Sequence, residues 1–319
     1  MIVDSEKPFQ IVYAIYSHEY LGLLVESFVV QLDEKGRLSL AYQNISAANA
    51  SEFDSVLNKA DYDLIKLIDS MNPELLVKPM IKRGNIRPKE YLHKIFDPKT
   101  EDKKIQDALE KVIEKKLAQI MPLLIGKQLF EMRSDGNPVG NEIAVNAERA
   151  TVHFHFHKNE EDTHYWPSIK FKGEKLDWQY KNGYLVCNEP AWLVVNGQLF
   201  QFEKGIDGKK LKPFLNKKFI VIDKRIEPSY YRGFMSNLIS QFDVTSKGFD
   251  INIERGTPEV YLHISELPGN TGKDLFGADG ERNEEDKMVF ELRFKYGEYD
   301  FPVQTPNGEL LGNTIRLEE

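Results

Sequence analysis

Two periods of apolar residues divide the chain. Phe9 to Tyr16, Leu23 to Leu32 and Leu38 to Tyr42 are strand-length runs. Ser17-His18-Glu19-Tyr20-Leu21-Gly22 interrupts the first pair, and Asp33-Glu34-Lys35-Gly36 forms a tight turn before the third. From residue 51 to 125 the spacing lengthens to three and four. Ser51 is placed to cap a helix, and Phe53, Val56, Leu57, Leu64, Ile65, Ile68 and Met71 read as one face of two helices broken near Asp61. Pro88 suits the first turn of a short helix carrying Tyr91, Leu92 and Ile95. The longest helix is expected from near Thr100, with Ile105, Ala108, Leu109, Val112, Ile113, Ile120 and Leu124 as its stripe. Pro122 bends or ends it and Gly126 closes it.

Beyond a Gly/Pro-containing stretch from Ser134 to Asn141, the period returns to two. Val152, Phe154 and Phe156 alternate with Thr151, His153, His155 and His157. Asn182-Gly183 and Asn196-Gly197 each sit between apolar runs, and Asn-Gly tolerates the positive φ angles of the type I′ hairpin turn. The first turn pairs Tyr180 with Leu185 and Trp178 with Cys187. The second pairs Val194 with Leu199 and Leu193 with Phe200. The stretch from Ala150 to Asp223 therefore reads as a β-meander. A short basic helix around Lys210 to Leu215, a strand at Phe219 to Ile222 and a helix from Pro228 follow. The apolar face of that last helix is Tyr231, Phe234, Met235, Leu238, Ile239 and Phe242. Further strands are expected at Phe249 to Ile253, Val260 to Ile264 and Met288 to Phe294. A polar loop runs from Pro268 to Lys287, and Tyr299 to Val303 and Glu309 to Leu317 flank a Pro306-Asn307-Gly308 turn.

The fold class expected from this order is α+β. Residues 1–133 form N-terminal strands and a helical subdomain, and residues 134–319 form a mainly antiparallel β domain with one or two helices.

Composition narrows the setting. Hydrophobic residues make up 41% and charged residues 29% of the 319, near a globular average. No run of about 18 apolar residues exists, so no membrane partner is expected. The N-terminus lacks the order of a signal peptide, and the single Cys187 excludes an internal disulfide, so a reducing cytoplasm is the expected compartment. Net charge is −8, which argues against a chain-wide nucleic-acid footprint. Charge is segregated, however. Between Lys204 and Arg225 eight basic residues face two acidic ones, a local balance of +6.

Three groups of residues carry candidate chemistry. Lys209, Lys210, Lys212, Lys217 and Lys218 surround Phe214, a combination that suits a nucleic-acid backbone or an acidic partner, and equally a solvated turn. His153, His155 and His157 share one strand face with His164 nearby. So placed, they could hold zinc or another first-row metal, or simply form a polar face opposite Phe154 and Phe156. Trp166, Trp178 and Trp192 could line a sugar groove or fill a core, and the hairpin pairing places Trp178 inward. No Walker A loop, GxGxxG, Gly-x-Ser-x-Gly or His-Glu-x-x-His occurs. At Gly126-Lys127, Gly208-Lys209 and Gly272-Lys273 the next residue is Gln128, Lys210 and Asp274, not Ser or Thr. No catalytic residue and no cofactor is expected.

Several stretches resemble the N-terminal accessory region of bacterial SWI/SNF-type helicases, which are large ATP-dependent DNA translocases. They are Ser17 to Gly22, Glu26-Ser27-Phe28-Val29-Val30-Gln31-Leu32, Gln43-Asn44-Ile45-Ser46, Gly126-Lys127-Gln128-Leu129-Phe130-Glu131-Met132 and Asp207 to Leu215. The likeness reaches to about Leu267. In that family the ATPase core follows this region. Here the only Asp-Glu pair, Asp33-Glu34, continues as Lys35-Gly36 and not as a DExH box. The resemblance therefore implies a non-enzymatic, regulatory or substrate-engaging module. Its expected partner is a C-terminal motor of the same polypeptide, with DNA as a second candidate partner. The competing expectation is a free-standing β-rich module that binds protein or carbohydrate.

Overall fold

A computed structural model describes residues 3–4, 6–81, 86–179, 181–203, 205–235, 238–239, 242–253, 259–267, 287–296, 299–302 and 315–318. The architecture is α+β, with helices gathered in the first half and a large mixed sheet running through both.

β1 (Phe9–His18), β2 (Gly22–Leu32) and β3 (Leu38–Asn44) form an antiparallel meander, with the Asp33–Gly36 turn where it was expected. The helical stretch opens with a 3₁₀ turn at Ala50–Phe53, followed by α1 (Lys59–Asp69), α2 (Pro73–Val77), α3 (Pro88–Phe96) and α4 (Lys103–Leu123). The helix break predicted near Asp61 lies earlier, because Asn58 is the true cap. Its side chain accepts from the Asp61 N–H while Asp61 accepts from the Asn58 N–H, so Asp61 sits inside the first turn. Ser51 caps no helix and lies within the 3₁₀ turn. Pro88 and Pro122 stand where the sequence places them, at the start of α3 and the end of α4, and Gly126 follows with φ +77°.

β4 (Leu129–Glu131) lies just before the Ser134–Asn141 stretch. It runs parallel to β1 and antiparallel to β5 (Glu142–Lys158), so one sheet continues from the first half into the second. β5 is long enough to fork. Its first half lies parallel to β10, and its second half lies between β6 and β12. The remaining strands are β6 (Asp162–Phe171), β7 (Glu174–Leu176), β8 (Tyr184–Asn188), β9 (Ala191–Val195), β10 (Gln198–Phe202), β11 (Ile220–Asp223) and β12 (Asp243–Lys247). Of the two expected Asn-Gly hairpins, the second forms in the predicted register, with Val194 opposite Leu199 and Leu193 opposite Phe200. The first does not. Trp178 lies outside any strand, buried at 3% exposure, and β8 pairs with β9 instead. Asn182 still turns through positive φ. Tyr180 lies outside the described residues.

Two cores result. One packs α1, α3 and α4 against β1 and β2 and also takes in Val186, Cys187, Trp192, Val194 and Leu199. Cys187 is a core residue, and its thiol donates to the Pro190 carbonyl. The other core holds Phe154, Phe156, Tyr165, Trp178, Phe200 and Phe214, closed by α5 (Glu227–Tyr230) and the π-turn after it (Tyr231–Met235). Glu114 of α4 accepts from the backbone and side-chain amides of Asn188, fastening the long helix to β8.

Two small sheets complete the described chain. β13 (Asp250–Ile253) pairs with β17 (Ile315–Glu318), and β14 (Glu259–Leu267) and β15 (Lys287–Tyr296) form a hairpin joined by β16 (Tyr299–Pro302). The expected polar loop between β14 and β15 and the turn at Pro306-Asn307-Gly308 lie outside the described residues.

Candidate nucleic-acid interface

The lysine segment splits in two. Asp207 caps a 3₁₀ turn, Gly208–Lys210, and a second turn follows at Lys212–Leu215. The apolar residues between the cations, Leu211 and Phe214, plunge fully into the second core. Phe214, grouped by sequence with the lysines as a contact residue, is therefore withdrawn from that surface. Its ring packs edge-on against Phe154 and Tyr165, and it pins the segment to the sheet. Lys210 is half-buried, with its ammonium 5.1 Å from the Phe242 ring centre. Burial lowers its pKa, and Asp207 and Glu189 act against that shift. Lys210 borders a cleft of about 530 Å³ together with Arg149, Glu189, Gln201 and Asp207. Lys209 and Lys212 are exposed beside it.

Lys217 and Lys218 go elsewhere. Both are exposed, and the Gln179 side chain donates to the Lys218 carbonyl. They lead directly into Phe219, whose ring lies parallel to His164 of β6 with centres 4.3 Å apart. The structure thus brings the end of the lysine segment onto the face that carries the histidines.

That face follows from strand periodicity. Val152, Phe154 and Phe156 point into the core, so His153, His155 and His157 point out. In the β5–β6 register His153 stands opposite Ser168, His155 opposite Trp166 and His157 opposite His164. β12 adds Asp243, Thr245 and Lys247 on one flank, and β11 adds Val221 on the other. β12 was missed by sequence reading, because Asp243-Val244-Thr245-Ser246-Lys247 has only Val244 as an apolar marker.

Hydroxyls tie the histidines together. Thr245 Oγ1 lies 3.2 Å from His153 Nε2 and 2.8 Å from His155 Nδ1, and Ser168 Oγ lies 2.8 Å from His155 Nε2. Ser168 donates to the His153 carbonyl at 3.4 Å. Counting one proton per hydroxyl gives a neutral chain: His153 Nε2–H donates to Thr245, Thr245 to His155 Nδ1, and His155 Nε2–H to Ser168. Burial pushes both imidazoles below the usual histidine pKa. Asp243 opposes the shift at His153 while Lys170 adds to it, and His153, Lys175 and Lys170 add to it at His155.

These contacts bear on the metal reading. A zinc triad would need His153, His155 and His157 to converge, whereas three of the four ring nitrogens of His153 and His155 are engaged by hydroxyls. His164 faces Asp162 at 3.2 Å. Among the described residues no group of three or more His, Cys, Asp or Glu side chains could hold a metal ion.

Of the three tryptophans, Trp178 and Trp192 are core residues at 3% and 0% exposure. Trp166 is half-buried on the outward face, stacked on His155 with centres 5.6 Å apart. No helix of the described residues is long and apolar enough to cross a membrane. No family model, no curated protein and no solved structure matches this chain.

Proposed function

We propose that this chain is a non-catalytic accessory module of a bacterial SWI/SNF-type ATP-dependent DNA translocase, and that it engages DNA on behalf of a motor in the same polypeptide. The family assignment rests on the quoted stretches from Ser17-His18-Glu19-Tyr20-Leu21-Gly22 to Asp207–Leu215. The observation that supports DNA contact is the junction at Lys217-Lys218-Phe219, where two exposed cations meet an exposed ring lying against His164. A chain of net charge −8 repels DNA over most of its surface, so contact must come through a local basic segment such as this one.

Lysine–phosphate contact releases counterions, so affinity falls steeply with salt. Fluorescence anisotropy with labelled single- and double-stranded DNA across a salt series tests the reading. Binding at low salt is expected, and K217E with K218E together weaken it by about tenfold or more and flatten the salt slope. Affinity unchanged in that double variant refutes the DNA-contact assignment.

A further inference from the structure

The outward face of β11, β6, β5 and β12 differs in kind from an ordinary solvated sheet. Two ring stacks stand side by side on it, Phe219 on His164 and Trp166 on His155, with His153 a further 4.7 Å from His155. His164 and Trp166 are two residues apart on one strand, so the stacks are about 7 Å apart, a spacing consecutive nucleotides of an extended strand can span. Phe219 and Val221 are 39% and 51% exposed on this face, an unusual pair of apolar side chains to present to water between charged neighbours.

We infer that this face binds single-stranded DNA by stacking unpaired bases on Phe219 and Trp166 while the lysines around it hold the phosphates. The inference rests on the DNA-contact reading above and narrows it to the unpaired strand. Exposed cations stand at three margins: Lys217 and Lys218 before Phe219, Lys170 and Lys175 facing each other across β6 and β7, and Lys247 on β12. Acidic groups on the face have local partners, since Asp162 meets His164 and Asp223 is held by Arg225 at 2.9 Å. Asp243 stands beside His153. Aromatic groups on a sheet bordered by cations accept bases of any sequence, because every base has a π-face. In a duplex those faces are already stacked, and only the phosphates remain to be bound.

The test uses the full chain with three labelled probes of equal length: oligothymidylate, an abasic strand and a duplex. Oligothymidylate binds tighter than the abasic strand and quenches Trp166, the one tryptophan not sealed in a core. F219A weakens oligothymidylate binding by roughly tenfold, within the range for one base–aromatic stack, and leaves the abasic strand unaffected. Equal affinity for oligothymidylate and the abasic strand overturns the inference. So does unchanged tryptophan emission on saturation, a readout in the native chain that does not depend on how F219A folds. K217E with K218E separates the two readings. Weaker binding to all three probes supports the phosphate contacts, whereas unchanged affinity for all three in that variant, with the preference for bases kept, sinks the lysine assignment and leaves the stacking intact.

Discussion

At the scale of single residues, the outward histidines and the inward Asp61 both lose stability as pH falls, for different physical reasons. His153 and His155 have pKa values below those of an unfolded chain, so the unfolded state binds more protons as pH falls below about 6.5. Their contribution to stability is full above that value and is lost as pH drops toward their folded pKa. H155Q is expected to flatten the fall in Tm between neutral and mildly acidic pH, and a parallel pair of curves would contradict this. Asp61 is 2% exposed and touches Lys127 and the Tyr13 hydroxyl. Burial raises its pKa, but the Lys127 ammonium, the Asn58 N–H and Tyr13 together outweigh that and hold its carboxyl below the ordinary range. D61A leaves Lys127 facing a pocket without its anion and removes half of the α1 capping box. A loss of about 3 kcal/mol in urea unfolding is expected.

At the scale of elements, β12 is the test of how the outward face is held together. Hydroxyl–imidazole contacts, one parallel ladder and the packing of Val244 against the second core hold it to β5, and Gly248 ends it with φ +88°. A Cβ at Gly248 would lie 2.3 Å from the Lys158 carbonyl oxygen, so G248A forces the turn apart. T245V removes the hydroxyl shared by His153 and His155 at a cost of about 1 kcal/mol. Amide exchange across 243–247 is expected to quicken in T245V while β5 stays protected. Uniform exchange in both strands would show that β12 is not separately held. The same element marks where sequence legibility ends. β1, β2, β3, α3, α4 and the Val194–Leu199 hairpin were readable because period and turn chemistry are local. β4 and β12 were not, since three or five residues paired in parallel with a distant strand leave no local period. The Trp178–Cys187 hairpin failed for a related reason: a good turn dipeptide at Asn182-Gly183 does not dictate which strand its flank will join. The site was half legible. The lysines and histidines could be named in advance, but Phe219 as their junction required the β6–β11 register, and Phe214 was misjudged because a ring between lysines reads the same whether it points out or in.

At the scale of the whole molecule, one continuous sheet carries the two main cores and presents a basic, aromatic face to solvent on a chain that is acidic elsewhere. A second unusual surface lies on the β14–β15 hairpin. There Leu262 stands opposite Leu292 and Ile264 opposite Phe290, all between 43% and 61% exposed. Such a patch predicts binding of the dye ANS by the native chain, which L262E with F290E should diminish. An unchanged signal would place the dye elsewhere. On the other face, an unpaired strand is proposed to lie across β6 and β11. Ultraviolet crosslinking of oligothymidylate to the intact chain, followed by peptide mapping, tests it most directly. Adducts within residues 162–171 and 217–223, centred on Trp166 and Phe219, are the predicted result. Adducts confined to the cleft beside Lys210, or absent altogether at saturating strand, would contradict it.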